Sequence, residues 1–286
     1  MSLGFPDASS PTTHPSVALE AADVRVGQLP SGWEAAKDWR RIRMQLSGSA
    51  WLQRVQESAI SAILEHARRL LRHAAHPVRA VEAGWPAAGE LDLERTLEEP
   101  RPWGPHHLRV VRNEPREVDV VAVLDMSLSM TGEKIALIAV AAAILRLRLE
   151  HVALVAFDTT AYVLVKVGEE VSPRELVRRV LEVPAQGYTN IEGGLLAALG
   201  QLRRSRRRER VGLLFTDGVA NVGLDPVAAA GRFPRLHVVH LGEHHPQGAR
   251  CCRDMARAGR GRLYRARAYG DLPGVVRVAV RELFRG

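Results

Sequence analysis

Cysteine is almost absent from this 286-residue sequence: Cys251 and Cys252 are the only two, and they are adjacent. Neighbouring cysteines rarely reach disulfide geometry, so a disulfide-stapled scaffold is excluded and a reducing cytoplasm is the simplest expectation. Aromatic residues make up only 5% of the chain, so a core must be built from Val, Leu, Ile and Ala. Lysine occurs only at Lys37, Lys134 and Lys166, so the net charge of +8 comes from arginine. An arginine bias of that kind follows a GC-rich coding sequence as readily as a function, and does not by itself indicate nucleic acid. The longest apolar run, residues 135–145, falls short of the ~20 residues of a membrane span and gives way to Arg146 and Arg148. Residues 1–16 hold Ser, Pro and Thr with no basic stretch leading into an apolar one, so no signal peptide is expected.

What remains is the composition of a globular protein, 46% hydrophobic and 25% charged. Proline divides it unevenly, with ten of the sixteen at or before Pro115. Residues 1–30 read as disordered, and residues 31–115 as a helical or irregular accessory region. Within the latter, residues 48–75 form one amphipathic helix: Trp51, Leu52, Val55, Ala59, Ile63, Ala67, Leu70 and Leu71 recur every three or four positions. All five tryptophans lie in this third of the chain and read as anchors onto the remainder.

From residue 116 the pattern becomes regular. Residues 118–124 are an almost continuous apolar run, as in a strand buried on both faces. Strands at 152–157, 161–167, 211–215, 236–241 and 262–264 alternate with helices at 133–150, 173–181, 191–202, 226–231, 249–258 and 272–284. Ser172 precedes Pro173, a favoured N-cap and first-turn pair. Alternation of this kind predicts an α/β doubly wound, mostly parallel six-stranded sheet. The Asp158-Thr159-Thr160 hairpin adds one antiparallel edge strand.

The chemistry gathers at strand ends. Asp125-Met-Ser-Leu-Ser129 follows the first strand of this region, and Asp217 follows the strand at 211–215. In an open α/β sheet, ligands bind beyond the carboxyl ends of the strands where strand order reverses. If the order is 3-2-1-4-5-6, these two strands are central neighbours and both carboxylates reach one crevice. Thr189, in Gly187-Tyr-Thr-Asn190, precedes the next helix at the same end. Two Asp, two Ser and one Thr form a hard oxygen set suited to Mg²⁺ or Mn²⁺. No convergent His or Cys set favours zinc ligation.

Asp125-x-Ser-x-Ser129, the Gly-x-Thr-Asn-Ile loop and Thr-Asp217-Gly together resemble the von Willebrand factor A (vWA) fold and its metal-ion-dependent adhesion site, over residues 117–286. The resemblance implies that Ser127 and Ser129 bind the cation directly. It implies that Thr189 and Asp217 bind it directly or through water, and that Asp125 acts through ordered water. A Glu or Asp of a partner then completes the coordination. Leu128 departs from the glycine common at that position but removes no ligand. The wider arrangement, with Glu90-Leu-Asp-Leu-Glu-Arg-Thr-Leu97 ahead of the domain, resembles bacterial magnesium-chelatase D-subunit and CoxE-like proteins. Those work with MoxR-type AAA+ ATPases, which implies an adaptor role; no membrane partner and no enzymatic activity are expected.

Competing readings have less support. A haloacid-dehalogenase-like phosphotransferase wants Asp at position 127, where this chain has Ser. A response-regulator receiver wants an acidic pair and a late-strand Lys, and neither is present. Arg203, Arg204, Arg206, Arg207, Arg208 and Arg210 form the densest charge run. It offers a nucleic-acid or other anionic-partner surface, but without the interleaved aromatics of single-strand binders, and it sits at the opposite end of the sheet from Asp125.

Overall fold

The computed structural model describes residues 31–45, 50–72, 78–84, 90–91, 93–98, 108–115, 118–127, 132–149, 151–184, 187–242 and 245–283. The expectation of disorder over residues 1–30 falls outside them, as do Ser129 and Leu128.

The central element is β4, Val118–Asp125, every residue of which is buried. It pairs in parallel with β5, Val152–Phe157, on one side and β7, Glu209–Thr216, on the other. The sheet continues through β8, Leu236–Leu241, to β9, Arg260–Ala266, both parallel. At the far edge β6, Ala161–Val165, returns antiparallel to β5. The order β6-β5-β4-β7-β8-β9 is the doubly wound one, so strand order reverses between β4 and β7. The hairpin closes as the sequence indicates, with Thr160 N–H donating to Asp158 Oδ1 at 2.9 Å.

Alternate residues of β4 face two cores. Val121 and Val123 pack with α7, Ile191–Leu202, α8, Pro226–Ala230, and α9, Pro246–Ala258. Val120, Ala122 and Leu124 pack with α5, Glu133–Arg148, α6, Pro173–Glu182, and α10, Leu272–Leu283. Ser172 caps α6 by accepting the Glu175 N–H. Cys252 packs in the first of these cores as a small apolar residue, and Cys251 is half-buried beside it.

Helix α5 is buried at every position from Ile135 to Leu145, not only on its sheet side. Three N-terminal helices account for this: α1, Gly32–Lys37, α2, Trp39–Gln45, and α3, Ala50–Leu71. Ala35, Ala36, Trp39, Ile60, Ile63 and Leu64 belong to the same core as α5 and α6. Trp39 Nε1 donates to Leu181 O at 2.8 Å, and Arg43 Nη1 to Glu182 O at 2.6 Å. Glu57 bridges Arg174 and Arg178 of α6, and Arg148 Nη2 reaches Leu71 O at 3.1 Å. The apolar run 135–145 is therefore the middle layer of a sheet–helix–helix stack, which explains its lack of a polar face.

The region preceding β4, expected to be helical or irregular, also contains strands. β1, Val78–Gly84, pairs antiparallel with β3, Arg109–Pro115, which in turn pairs with β2, Glu90–Leu91; α4, Leu93–Glu98, follows β2. The 24 residues between β1 and β3 provide no tight-turn signal, and Arg and Glu interrupt the strand pattern, so nothing local marks the pairing.

Candidate metal centre

Because β4 and β7 are parallel neighbours, Asp125 and Thr216 end at the same level, with Asp217 one residue further on. The Asp125 side chain is fully buried. Its Oδ1 accepts the Ser127 N–H at 3.1 Å, a turn made by the carboxylate itself, and its Oδ2 accepts the Thr216 hydroxyl at 2.8 Å. Asp125 is not a helix cap: α5 starts at Glu133 behind Gly132. Thr216 Oγ1 also accepts the Gly218 N–H at 3.1 Å, and Asp217 Oδ1 accepts the Val219 N–H at 3.0 Å. Gly218 turns with φ +80°, and a Cβ there would collide with the Gly248 backbone of α9, so the Asp217 loop lies directly on that helix.

Thr189 is brought to the same end by a second loop. Asn190 N–H donates to Asp158 O at 2.8 Å, and the Asn190 side chain caps α7 through the Gly193 N–H. Asn221 fastens Thr189 to the loop that follows β7. Its Oδ1 accepts the Thr189 N–H at 3.0 Å, and its N–H donates back to Thr189 O at 3.1 Å. Ser127 and Thr189 are both buried, and Asp217 is half-buried. Asp158 is buried too, but its carboxylate is spent on the hairpin turn.

Burial, and then the neighbouring Asp217 carboxylate, push the Asp125 carboxyl up to about 6. The hydrogen bonds from Ser127 and Thr216 act in the opposite sense. The Cys252 thiol nearby is pushed up as well, by burial first and with Asp217 and Asp125 contributing, so it is held protonated. The Asp217 carboxylate thus disfavours the charged form of the buried Asp125. A divalent cation would offset that effect. Among the described residues no three His, Cys, Asp or Glu side chains converge, so the donors on offer are two carboxylates and hydroxyls, a hard oxygen set.

Thr216, Asn221 and Asn190 are the residues that sequence reasoning did not assign. Thr216 stands in the Thr-Asp-Gly motif and so had a signal, whereas Asn221 had none. The arginine run also divides. Arg203, Arg204, Arg206 and Arg208 are exposed, but Arg207 turns in to Asp119, Nε to Oδ1 at 3.3 Å, while Ser205 Oγ holds the other oxygen. Arg210 is half-buried, with its Nε shielded from solvent. Arg207 is therefore structural, and the exposed four lie at the amino-terminal end of β7, away from Asp125.

A family model described as "VWA domain containing CoxE-like protein" matches residues 64–232, more than half of the chain. No curated protein matches. Among solved structures, the mussel byssus proximal thread matrix protein 1 with a zinc-occupied adhesion motif is 13% identical, with a TM-score of 0.50 over 58% of this chain and 48% of that one. A von Willebrand factor type A protein from Catenulispora acidiphila is 20% identical, covering 61% of this chain and 44% of that one with a TM-score of 0.49. An aerotolerance-related membrane protein from Bacteroides fragilis is 18% identical, covering 58% and 100% with a TM-score of 0.47. At these identities the likeness is one of fold.

Proposed function

The chain belongs to the vWA-domain-containing CoxE-like proteins, and from that premise we propose that it captures a carboxylate of a partner protein at a divalent cation held by Asp125, Ser127, Ser129, Thr189 and Asp217. Domains of this type are metal-dependent protein-interaction modules. The reading of this site rests on one observation: the buried Asp125 carboxylate with the Asp217 carboxylate and the buried Ser127 and Thr189 at the same end of the sheet, at the point where strand order reverses.

When bound, Mg²⁺ or Mn²⁺ would supply an open coordination position for an incoming Glu or Asp. The chain's own residues do the positioning. Thr216 and the Ser127 N–H fix the Asp125 carboxylate, Asn221 fixes Thr189, and the Gly218 turn fixes Asp217. No nucleophile with a neighbouring base is part of this arrangement, and the role is recognition rather than catalysis. Residues 116–286 form the interaction domain, and residues 31–115 the accessory region that precedes it.

The partner we propose is a MoxR-type AAA+ ATPase or the protein it remodels, a step that rests on family membership alone. Among the described residues no helix is long and apolar enough to cross a membrane. The place of action we propose is the cytoplasm.

Titration calorimetry with Mg²⁺ and Mn²⁺ on the wild type, Asp125→Ala and Asp217→Ala tests the site. Binding to wild type alone is expected, and equal binding by all three would end the assignment. The rival reading, a nucleic-acid adaptor using the exposed arginines, predicts RNA or DNA affinity that falls with salt and survives EDTA. Partner capture lost in EDTA and indifferent to nuclease supports the adhesion reading instead.

A further inference from the structure

The positive charge of the chain is not spread evenly. Residues 246–286 hold ten arginines and three acids, a net +7 of the chain's +8. A coding bias toward arginine acts along the whole chain and does not thin out the acids of one segment. This segment contains α9, β9 and α10. β9 is an edge of the six-stranded sheet, and the two helices pack on its opposite faces, α9 in one core and α10 in the other.

Arginine stands on all three elements. On α9, Arg250, Arg253 and Arg257 recur every three or four residues and form one exposed stripe. On α10, Arg277 and Arg281 are one turn apart and exposed as well. Arg262 and Arg265 are exposed on β9 itself. Arg262 is matched by Glu282 at 2.6 Å, and Arg250 lies 3.9 Å from Asp254. Among the described residues no acid forms an ion pair with Arg253, Arg257, Arg265 or Arg277.

The backbone of β9 is paired on one side only among the described residues. Val239 pairs with Tyr264 and Leu241 with Ala266, and the Gly242 N–H donates to Ala266 O at 2.9 Å. The alternation of a parallel ladder then turns the N–H and C=O of Leu263 and Arg265 to the open side. The other edge of the sheet differs. β6 carries no charged residue, and the Arg179 guanidinium takes its Leu164 O at 2.7 Å. Among the described residues no side chain bonds the backbone of Leu263 or Arg265. An open row of backbone donors and acceptors is a template for a further strand.

We propose that the β9 edge binds an extended acidic segment of another protein, which adds as a strand beside β9. The backbone of Leu263 and Arg265 pairs with the segment, and the arginines receive its carboxylates. Successive side chains of an added strand point to opposite faces. Acids on one face meet the α9 side of the edge, and acids on the other meet the α10 side. A second copy of this edge is a poor occupant, because Arg262 and Arg265 would face arginines again. Nucleic acid would use the arginines and leave the strand edge unpaired. The site needs no cation, so it stands apart from the Asp125 reading.

Fluorescence anisotropy on the full chain in EDTA is the test, with a labelled peptide of about eight residues alternating Glu and Val. Binding is expected, and it should weaken as salt is added. The same peptide with Lys in place of Glu should not bind. Arg253→Glu with Arg265→Glu should weaken binding about tenfold or more. Both positions are exposed, so the melting temperature should stay at the wild-type value. A fully N-methylated Glu–Val peptide keeps the charge and loses every N–H donor, so its binding should be lost. Equal binding of the methylated and unmethylated peptides would overturn strand addition. No binding of the Glu–Val peptide at about 100 µM, where contacts of small area still register, would overturn the proposal outright. Tighter binding of an oligothymidylate of equal charge would overturn it too and assign the arginines to nucleic acid. Because EDTA is present throughout, these outcomes are read separately from the Mg²⁺ calorimetry, and either reading can fail alone.

Discussion

The Thr216 hydroxyl donates to Asp125 Oδ2 at 2.8 Å, tying the carboxyl ends of the two central strands together through the acid that the proposed cation needs. The same oxygen accepts the Gly218 N–H and so sets the start of the Asp217 loop. Thr216→Val should keep the fold, since the side chain is nearly isosteric, yet leave Asp125 short of a donor. One lost charge-assisted hydrogen bond corresponds to ~1.5 kcal/mol, or about tenfold weaker Mg²⁺ binding. Calorimetry reads this directly, and an unchanged dissociation constant counts against the positioning role.

Protonation of Asp125 makes the pH dependence distinctive. Its folded-state carboxyl titrates at about 6, raised from an unfolded value of 3.8. Below pH 3.8 both states are protonated, and the stability this group contributes is fully present. Between 3.8 and about 6 the unfolded chain ionises first, so metal-free protein loses stability as pH rises, by ~3 kcal/mol at most for a fully buried group. Mg²⁺ should offset that loss at pH 7 and do little at pH 5. Chemical denaturation of wild type and Asp125→Asn at both pH values, with Mg²⁺ and with EDTA, checks it. Asn at this position should flatten the profile.

Removing the N-terminal helices should expose a full face of α5. Ala35, Ala36, Trp39, Ile60, Ile63 and Leu64 share one core with it. A chain beginning at residue 116 should therefore aggregate or melt far below the full protein, although it retains every strand of the six-stranded sheet. Trp39→Ala in the full chain tests the same packing with one change. Loss of a fully buried tryptophan and its bond to Leu181 O should cost ~3–5 kcal/mol by urea denaturation.

The arginine run should separate into two classes on mutation. Arg207→Ala leaves buried Asp119 with only Ser205 and should destabilise by ~1–3 kcal/mol. Arg204→Ala, Arg206→Ala and Arg208→Ala, all exposed, should stay within ~0.5 kcal/mol of wild type. Melting curves distinguish the two, and uniform effects across the run would contradict the inward turn of Arg207.

The sequence alone determined the strand–helix alternation, the doubly wound fold class and the placing of Asp125, Thr189 and Asp217 after strands or before a helix; the strand order β6-β5-β4-β7-β8-β9 that sets Asp125 beside Thr216 came from the structure. The sequence signals are local. A continuous apolar run reports a strand buried on both faces, a Ser-Pro pair reports a helix start, and acids directly after strands report ligand ends. What only the tertiary structure decided depends on residues far apart in the chain. Asn221 clamps Thr189 across 32 positions, and Trp39 meets Leu181 across 142. The pairing of β1 with β3 spans a connection with no turn signature. No periodicity records a partner on another element. It is for this reason that the proposed metal site could be written from the sequence as a set of oxygens, while the groups that position Asp125 and Thr189, and the helical layer that buries α5, emerged only once the chain was folded.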